Sequence, residues 1–296
     1  MGEKRTAVAL GYFDGVHLGH RRIIGAAAQW AAQNGCEPAV FTFHFGERRT
    51  KAADILTLSE RCRRIRGLGV QRILCEEFDA IAALTPEEFV QRILCEKLDA
   101  AAVFCGENFR FGAKAAGDTA LLRTLCAARD IRVCVLPLEE VDGAPVSATR
   151  IRALLEQARM EEANLLLGEP YAIDFPVQHG RGLGGTIGCP TINQIYPPYM
   201  LRPAEGVYIT AAELDGVCVP AATGLGSRPT VGGHTVTCES FLCRWQGDAY
   251  GSSPRVSFHR YLQPVQKFAS LQELTACINA AAEQSCRFFD SEADAE

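Results

Sequence analysis

The sequence predicts two modules: a doubly wound α/β unit built on a parallel sheet, then a small antiparallel β-barrel followed by a terminal helix. Three observations carry that prediction. Apolar strand patterns alternate with helical ones through the first half; short strand patterns broken by Gly and Pro fill most of the second; helical periodicity returns only near the end. At 296 residues the chain is long for one domain and ample for two cores. Gly168-Glu-Pro-Tyr171 interrupts a helical stretch, so the boundary is expected between 160 and 172, with modules spanning 1–166 and 167–290.

Each element has a local reason. The apolar run at 7–10 is a buried strand, and 17–32, rich in Ala, Ile and Leu, is helical. A strand at 39–43 follows; Ser59 can cap a helix reaching about 68, and 72–75 is strand again. Thr85-Pro-Glu-Glu88 reads as a helix start, with a hydroxyl N-cap, proline at the first position and acids in the first turn. That helix turns Phe89, Ile93 and Leu94 inward and leads to a strand at 101–105. Helix at 118–128, strand at 133–136 and a helical stretch at 149–167 complete the alternation, which implies parallel pairing. Ligands of such sheets bind beyond the strands' carboxyl ends, where His17, His20 and Asn108 all lie. In the second module strands are expected at 206–210, 217–219, 236–241 and 255–258, then a helix at 270–289 with a frayed acidic tail.

Composition narrows the class. Hydrophobic content of 48% with 22% charge is ordinary for a water-soluble globular protein, and a net charge of −5 argues against general nucleic-acid binding. No apolar stretch reaches membrane-spanning length, and the N-terminal residues lead straight into a strand rather than a signal peptide. The 13 cysteines are scattered, odd in number and without Cys-x-x-Cys, which favours reduced core thiols and a cytoplasmic protein over bridges or a zinc site. Oligomeric state is not legible.

The most informative stretch is Leu10-Gly-Tyr-Phe-Asp-Gly-Val-His-Leu-Gly-His20. It reads as strand, tight turn at Asp14-Gly15, then helix, so free N–H groups and a positive dipole end face any anion at the helix start. His17 and His20 lie three apart on one face of the first turn, and Gly11, Gly15 and Gly19 let a ligand approach the backbone closely. Surface histidines beside an ordinary turn, a metal pair lacking a visible third ligand, and imidazoles donating to the α-phosphate of a nucleotide are the competing readings. The glycines, the turn and the helix end together favour the third.

This stretch resembles the nucleotidylyltransferase signature of the prokaryotic bifunctional riboflavin kinase/FAD synthetase family. Three further stretches are similar to that family, in order: Gly106-Glu-Asn-Phe-Arg-Phe-Gly112 with Gly117-Asp118, Val146-Ser-Ala-Thr-Arg-Ile-Arg152, and Pro190-Thr-Ile-Asn193. The resemblance implies a Rossmann-like FMN adenylyltransferase module and a riboflavin-kinase barrel, with riboflavin, FMN and ATP as small-molecule ligands, FAD as product, Mg²⁺ as cofactor, and neither nucleic acid nor membrane as partner. It implies that His17 and His20 are catalytic. Gly11, Phe13, Asp14, Gly19, Ser147, Thr149, Arg152 and Gly180 would meet the nucleotide, and Asn108 and Arg228 the flavin. Thr191 and Asn193 would stand on the metal side, and Glu239 would be the kinase base. Read without the resemblance, Thr191 is a strand residue, Asn193 a turn residue and Glu239 the exposed position of an alternating strand; Phe109 is either a stacking ring or a core ring.

Departures from the family pattern cluster in the second module. Gly224 replaces an Asn, Gln263-Pro-Val265 replaces Arg-Pro-Glu, Cys189 stands for an aromatic, and Gly182 and Gly185 replace basic residues. In the first module Ala148 replaces a Ser, and His44-Phe45-Gly46-Glu47 takes the place of Asp-Pro-His-Pro. A single-domain adenylyltransferase with another acceptor is disfavoured by the second module. A barrel that binds flavin without phosphorylating it, leaving FMN adenylylation alone, is the alternative those departures raise.

Overall fold

The computed structural model describes residues 4–46, 53–178, 191–230, 233–245 and 247–293. The chain forms two compact units, one of residues 1–53 and 58–148, the other of residues 54–57 and 149–296.

In the first unit β1 (Thr6–Leu10), β2 (Glu37–His44), β3 (Arg72–Glu77), β4 (Ala100–Gly106) and β5 (Arg132–Leu136) pair in parallel in the order β3-β2-β1-β4-β5. Every residue of β1 is buried, as its uninterrupted small apolar run requires of a central strand. Helix α1 (Leu18–Asn34) crosses back over the sheet and ends at Gly35, whose φ of 67° supplies the left-handed cap. Helix α2 (Leu58–Gly67) begins one residue before the expected Ser59 cap. A short α3 (Phe78–Ile81) precedes α4 (Pro86–Phe89), which continues in wider turns over Val90–Lys97. Thr85 and Glu88 form a reciprocal capping box, with Glu88 N donating to Thr85 Oγ1 at 3.2 Å and Thr85 N to Glu88 Oε2 at 2.8 Å. Phe89, Ile93 and Leu94 are buried as the spacing predicts. Asp118 caps α5 (Thr119–Ala127) by accepting from Leu121 N. The strand order reverses between β1 and β4, so the crevice beyond their carboxyl ends is this unit's ligand position.

After β5, a small hairpin of β6 (Glu140–Val141) and β7 (Ala144–Pro145) leads to α6 (Ala148–Glu156) and α7 (Met160–Leu167). The single helix expected over 149–167 is therefore two; Ala158 at φ 61° cannot continue a right-handed helix. Gly168 at φ 76° ends α7 as expected.

In the second unit β8 (Tyr171–Ile173), β9 (Thr191–Ile195), β10 (Gly206–Leu214), β11 (Val217–Thr230), β12 (Gly233–Leu242) and β13 (Arg255–Gln263) form an antiparallel sheet ordered β8-β13-β10-β11-β12-β9. Just past β8, Val177 bridges Gln194 on β9, joining the sheet's two edges into a barrel-like curl. Tyr171, Tyr208 and Phe258 fill it, and three internal hydroxyls satisfy one another: Thr210 with Thr223 at 2.6 Å, and Thr223 with Ser240 at 2.7 Å. The terminal helix α8 (Leu271–Ala293) lays Ala281 and Ala282 against Ala222 and Cys243. It runs beyond residue 289, where the acidic tail was expected to fray. The twelve described cysteines are free thiols; burial pushes Cys105 up to about 11 and Cys126 and Cys238 to about 12.

Candidate active sites

The turn between β1 and α1 is strained in a specific way. Phe13 and Val16 hold positive φ (54° and 45°) around Gly15 at 83°, and Gly11 is required because a Cβ there would come 2.9 Å from the Phe13 ring. The turn sets His17 at the N-cap of α1 and His20 one turn later. Their rings stack with centroids 3.6 Å apart, and Phe13, itself buried, meets His20 edge-on at 5.2 Å. Gly19 lies beneath the His17 ring, and Asp14 is buried in the turn. Both Nδ1 atoms are buried and lack a hydrogen-bond partner.

Burial pushes His17 down to about 4, and burial, then His17, then Arg61 hold His20 well below the usual imidazole range. The pair is therefore neutral near pH 7 and can donate without being charged. A folded value below the unfolded one means that His17 stabilises the fold above about pH 6.5. That contribution, roughly 3 kcal/mol, is lost as pH falls toward 4. Urea unfolding at pH 7, 5.5 and 4 should show this decline, and His17→Gln should flatten it; an unchanged slope in the variant would show the shift is not at His17.

Other expected residues of this unit lie at the same edge. Asn108 follows β4, with its Oδ1 close over Gly106. Phe109 packs on the core beside Phe111, with ring centroids 5.9 Å apart, so it is a core ring. Glu139 ties the segment before Ser147 to α1: its Oε2 takes Arg22 Nη1 at 2.8 Å and its carbonyl accepts from Val146 N at 2.8 Å. Ser147 is half-buried in the first unit, whereas Thr149 and Arg152 lie one turn apart on α6, in the second.

In the barrel, Glu239 on β12 faces Asn193 on β9 in register, and Phe241 faces Thr191. Thr191 and Asn193 are two apart and share a face. A cavity of about 330 Å³ is lined by Thr191, Glu239, Gly224, Gln263 and Val265 from the sheet side and by Cys277 from α8. That size suits a small organic ligand. Gly224 pairs directly with Glu239, and a Cβ there would meet nothing within 4 Å, so the missing Asn side chain leaves room beside the carboxylate. Gly180 and the glycine-rich loop through 190 lie outside the described residues. Arg228 pairs with Thr235 through its backbone, and its side chain is also outside them.

The buried polar atoms without partners divide by sign. In the first unit they are nitrogens: His17 Nδ1, His20 Nδ1, Arg61 Nε and Arg64 Nη1. In the barrel they are amide oxygens, Asn193 Oδ1 and Gln194 Oε1. Nitrogens suit an anion; Asn193 Oδ1, on the face shared with Thr191 and opposite Glu239, suits a hard cation such as Mg²⁺, whereas Gln194 turns to the other face of β9. Among the described residues no three His, Cys, Asp or Glu side chains gather to hold a metal, so the histidine pair has no third ligand of those types. The sequence reading missed Arg61, which is 1% exposed, and the α8 wall of the cavity. Neither had a local signal, since both depend on packing between distant segments.

An α/β unit with an imidazole pair at its switch point, joined to a barrel whose largely apolar cavity carries Thr191 and Glu239, defines a two-module protein that handles phosphorylated ligands. Comparison with known proteins makes this specific. The FAD synthetase family profile matches residues 2–150 and the riboflavin kinase profile matches residues 167–289. The bifunctional riboflavin kinase/FMN adenylyltransferase of Pseudomonas fluorescens is 34% identical over 94% of this chain and 91% of that protein. Its counterpart from Escherichia coli K12 is 33% identical over 93% and 90%. The chain belongs to the bifunctional riboflavin kinase/FMN adenylyltransferase family. A crystal structure described as a macrolide-efflux protein from Streptococcus pneumoniae has a TM-score of 0.82 at 27% identity, covering 96% of this chain and 95% of that one. The efflux description stays with that protein; among the described residues here, no helix is long and apolar enough to cross a membrane.

Proposed function

We infer that the protein catalyses two successive reactions: phosphorylation of riboflavin by ATP to give FMN, and adenylylation of FMN by a second ATP to give FAD and pyrophosphate. The observation that carries this is the ordered match to both family profiles, one over each module. We keep modules of 1–166 and 167–290 as the proposed division, although the compact units divide at 148/149, earlier than the expected 160–172, because α6 and α7 pack with the second unit. Both substrates and products are small molecules, and we place the enzyme in the cytoplasm.

In adenylyl transfer, a phosphate oxygen of FMN attacks the α-phosphorus of ATP while the bond to the β-phosphate oxygen breaks. The nucleophile arrives as an anion, so no covalent enzyme intermediate is needed, and positioning and charge stabilisation supply the catalysis. His17 and His20 donate N–H to the α-phosphate as charge builds there. Gly11, Gly19 and the turn at Phe13 and Asp14 shape the nucleotide cradle; Ser147, Thr149 and Arg152 hold the outer phosphates, and Asn108 contacts the flavin or nucleotide. Phe13 acts from beneath, as the support of His20.

In the barrel, Glu239 accepts the proton of the terminal ribityl hydroxyl as the hydroxyl oxygen attacks the γ-phosphorus of ATP and the bond to the β-phosphate oxygen breaks, releasing ADP. Thr191 and Asn193 would hold Mg²⁺, for which the unpartnered Asn193 Oδ1 is the supporting observation. The ion, when bound, neutralises phosphate charge. Gly180 belongs to the loop expected around ATP, and Arg228 to the flavin side. Gly224, Gln263 and Val265 raise the reading of a barrel that only binds flavin, but Glu239 facing Asn193 in register favours a working kinase. Purified protein given riboflavin, ATP and Mg²⁺ should accumulate FMN and then FAD. FAD from supplied FMN, with none from riboflavin, would instead mark the barrel as inactive.

A further inference from the structure

We propose that Arg61 is a positioning residue for adenylyl transfer, clamping the carbonyls of Tyr12 and Phe43 so that the turn after β1 holds the histidine pair in place. This rests on the assignment of His17 and His20 to that reaction.

Arg61 sits on α2 and is 1% exposed, yet among the described residues it meets no carboxylate. Its Nη1 donates to Tyr12 O at 3.0 Å and to Phe43 O at 3.0 Å, at the carboxyl ends of β1 and β2. Thr42 Oγ1 donates to the same Tyr12 carbonyl at 2.8 Å, and the guanidinium lies over the Tyr12 ring, 4.7 Å from its centroid. A buried arginine without a counter-charge is costly, and neutral carbonyls compensate only part of that cost. Such a group needs a reason, and its location supplies one. Tyr12 immediately precedes the segment where Phe13 and Val16 adopt left-handed backbone, a conformation that persists only when its surroundings over-determine it. Phe13 in turn supports His20 edge-on. The clamp thus controls, through two contacts, where His20 points. Both bonds come from Nη1, so lysine could place a charge and donors there, but without the guanidinium plane that lies over the Tyr12 ring.

The charge acts on the same ring. His20 feels His17 on its own helix and Arg61 from α2; Asp14 is buried in the turn, and Glu139 beside the helix start is taken by Arg22. Removing the Arg61 charge should therefore ease protonation of His20 and move the acid limb of FAD formation to higher pH.

The test compares Arg61→Met, Arg61→Lys and His20→Ala in the full chain, measuring kcat and KM for FAD formation from FMN and ATP across pH, with riboflavin phosphorylation and thermal unfolding followed in parallel. Arg61→Met should lower kcat about a hundredfold, keep KM for ATP within about twofold and raise the acid limb by about half a pH unit or more. Arg61→Lys should return the acid limb and recover about tenfold in kcat. A folded Met variant within about threefold of wild type would overturn the proposal. So would a slow one whose acid limb stays put and which Lys does not rescue, since that pattern marks general destabilisation. If Met prevents folding, Lys decides alone: kcat about tenfold down at unchanged KM supports the clamp, and wild-type kcat overturns it. Full activity in His20→Ala would instead remove the histidine assignment, whatever Arg61 does.

Discussion

His20→Ala is expected to slow FAD formation from FMN and ATP by roughly 10²–10⁴-fold while leaving riboflavin phosphorylation intact. The size follows from what the ring is placed to do. Its Nδ1 is buried and unpartnered, it stacks on His17 at 3.6 Å, and its proton affinity is held low by burial, His17 and Arg61. A donor so prepared meets developing charge on the α-phosphate without first reorganising, which is where such groups contribute most. ATP affinity should change little, because the donation strengthens as charge develops. The fold should survive, since His20 leaves no buried hydrogen bond broken. A variant that still makes FAD at the wild-type rate would remove the imidazole from the chemistry; one that also lost FMN formation would point to misfolding.

Glu239→Gln is expected to produce the opposite separation. Riboflavin phosphorylation should fall by roughly 10²–10⁴-fold, with FMN still converted to FAD. The substitution keeps size and shape, so β12 keeps its register with β11 and β9, and only the base is lost. Gly224, directly opposite, adds no side chain that could replace it. A product assay starting from riboflavin, with FMN supplied separately as a control, reads both halves. Unchanged phosphorylation in Glu239→Gln would sink the base assignment and leave Glu239 as a lining residue of the cavity.

The candidate sites were legible to different depths. The histidine pair, its glycines and its helix start are local features, and the structure puts them at a sheet switch point as a strand–turn–helix reading expects. The Thr85 helix start and the Gly168 stop were legible for the same reason, since both depend on a few neighbouring residues, whereas Asp118, read as the first helical residue, is the cap outside α5. In α2, by contrast, Leu58-Ser-Glu-Arg-Cys-Arg-Arg gives no sign that Glu60, Arg61 and Arg64 are buried. Glu60 and Arg64 pair at 2.8 Å, and Arg61 goes to carbonyls on two other segments. The barrel strands were found too short or missed, because β8 and β9 are brief and carry little periodicity, and the length of β11 is set by the partners on either side.

Sequence alone therefore determined the two-module architecture, the alternation behind the parallel sheet and the strand–turn–helix that carries the first signature. These depend on local periodicity, turns and charge, which neighbouring residues fully express. Tertiary structure decided the strand order that creates the crevice, the pairing of Glu239 with Asn193 and Gly224, and the burial of Arg61 against Tyr12 and Phe43. Those depend on which distant segments hydrogen-bond side by side and which charges the packing removes from water, and neither is written in any single stretch of chain.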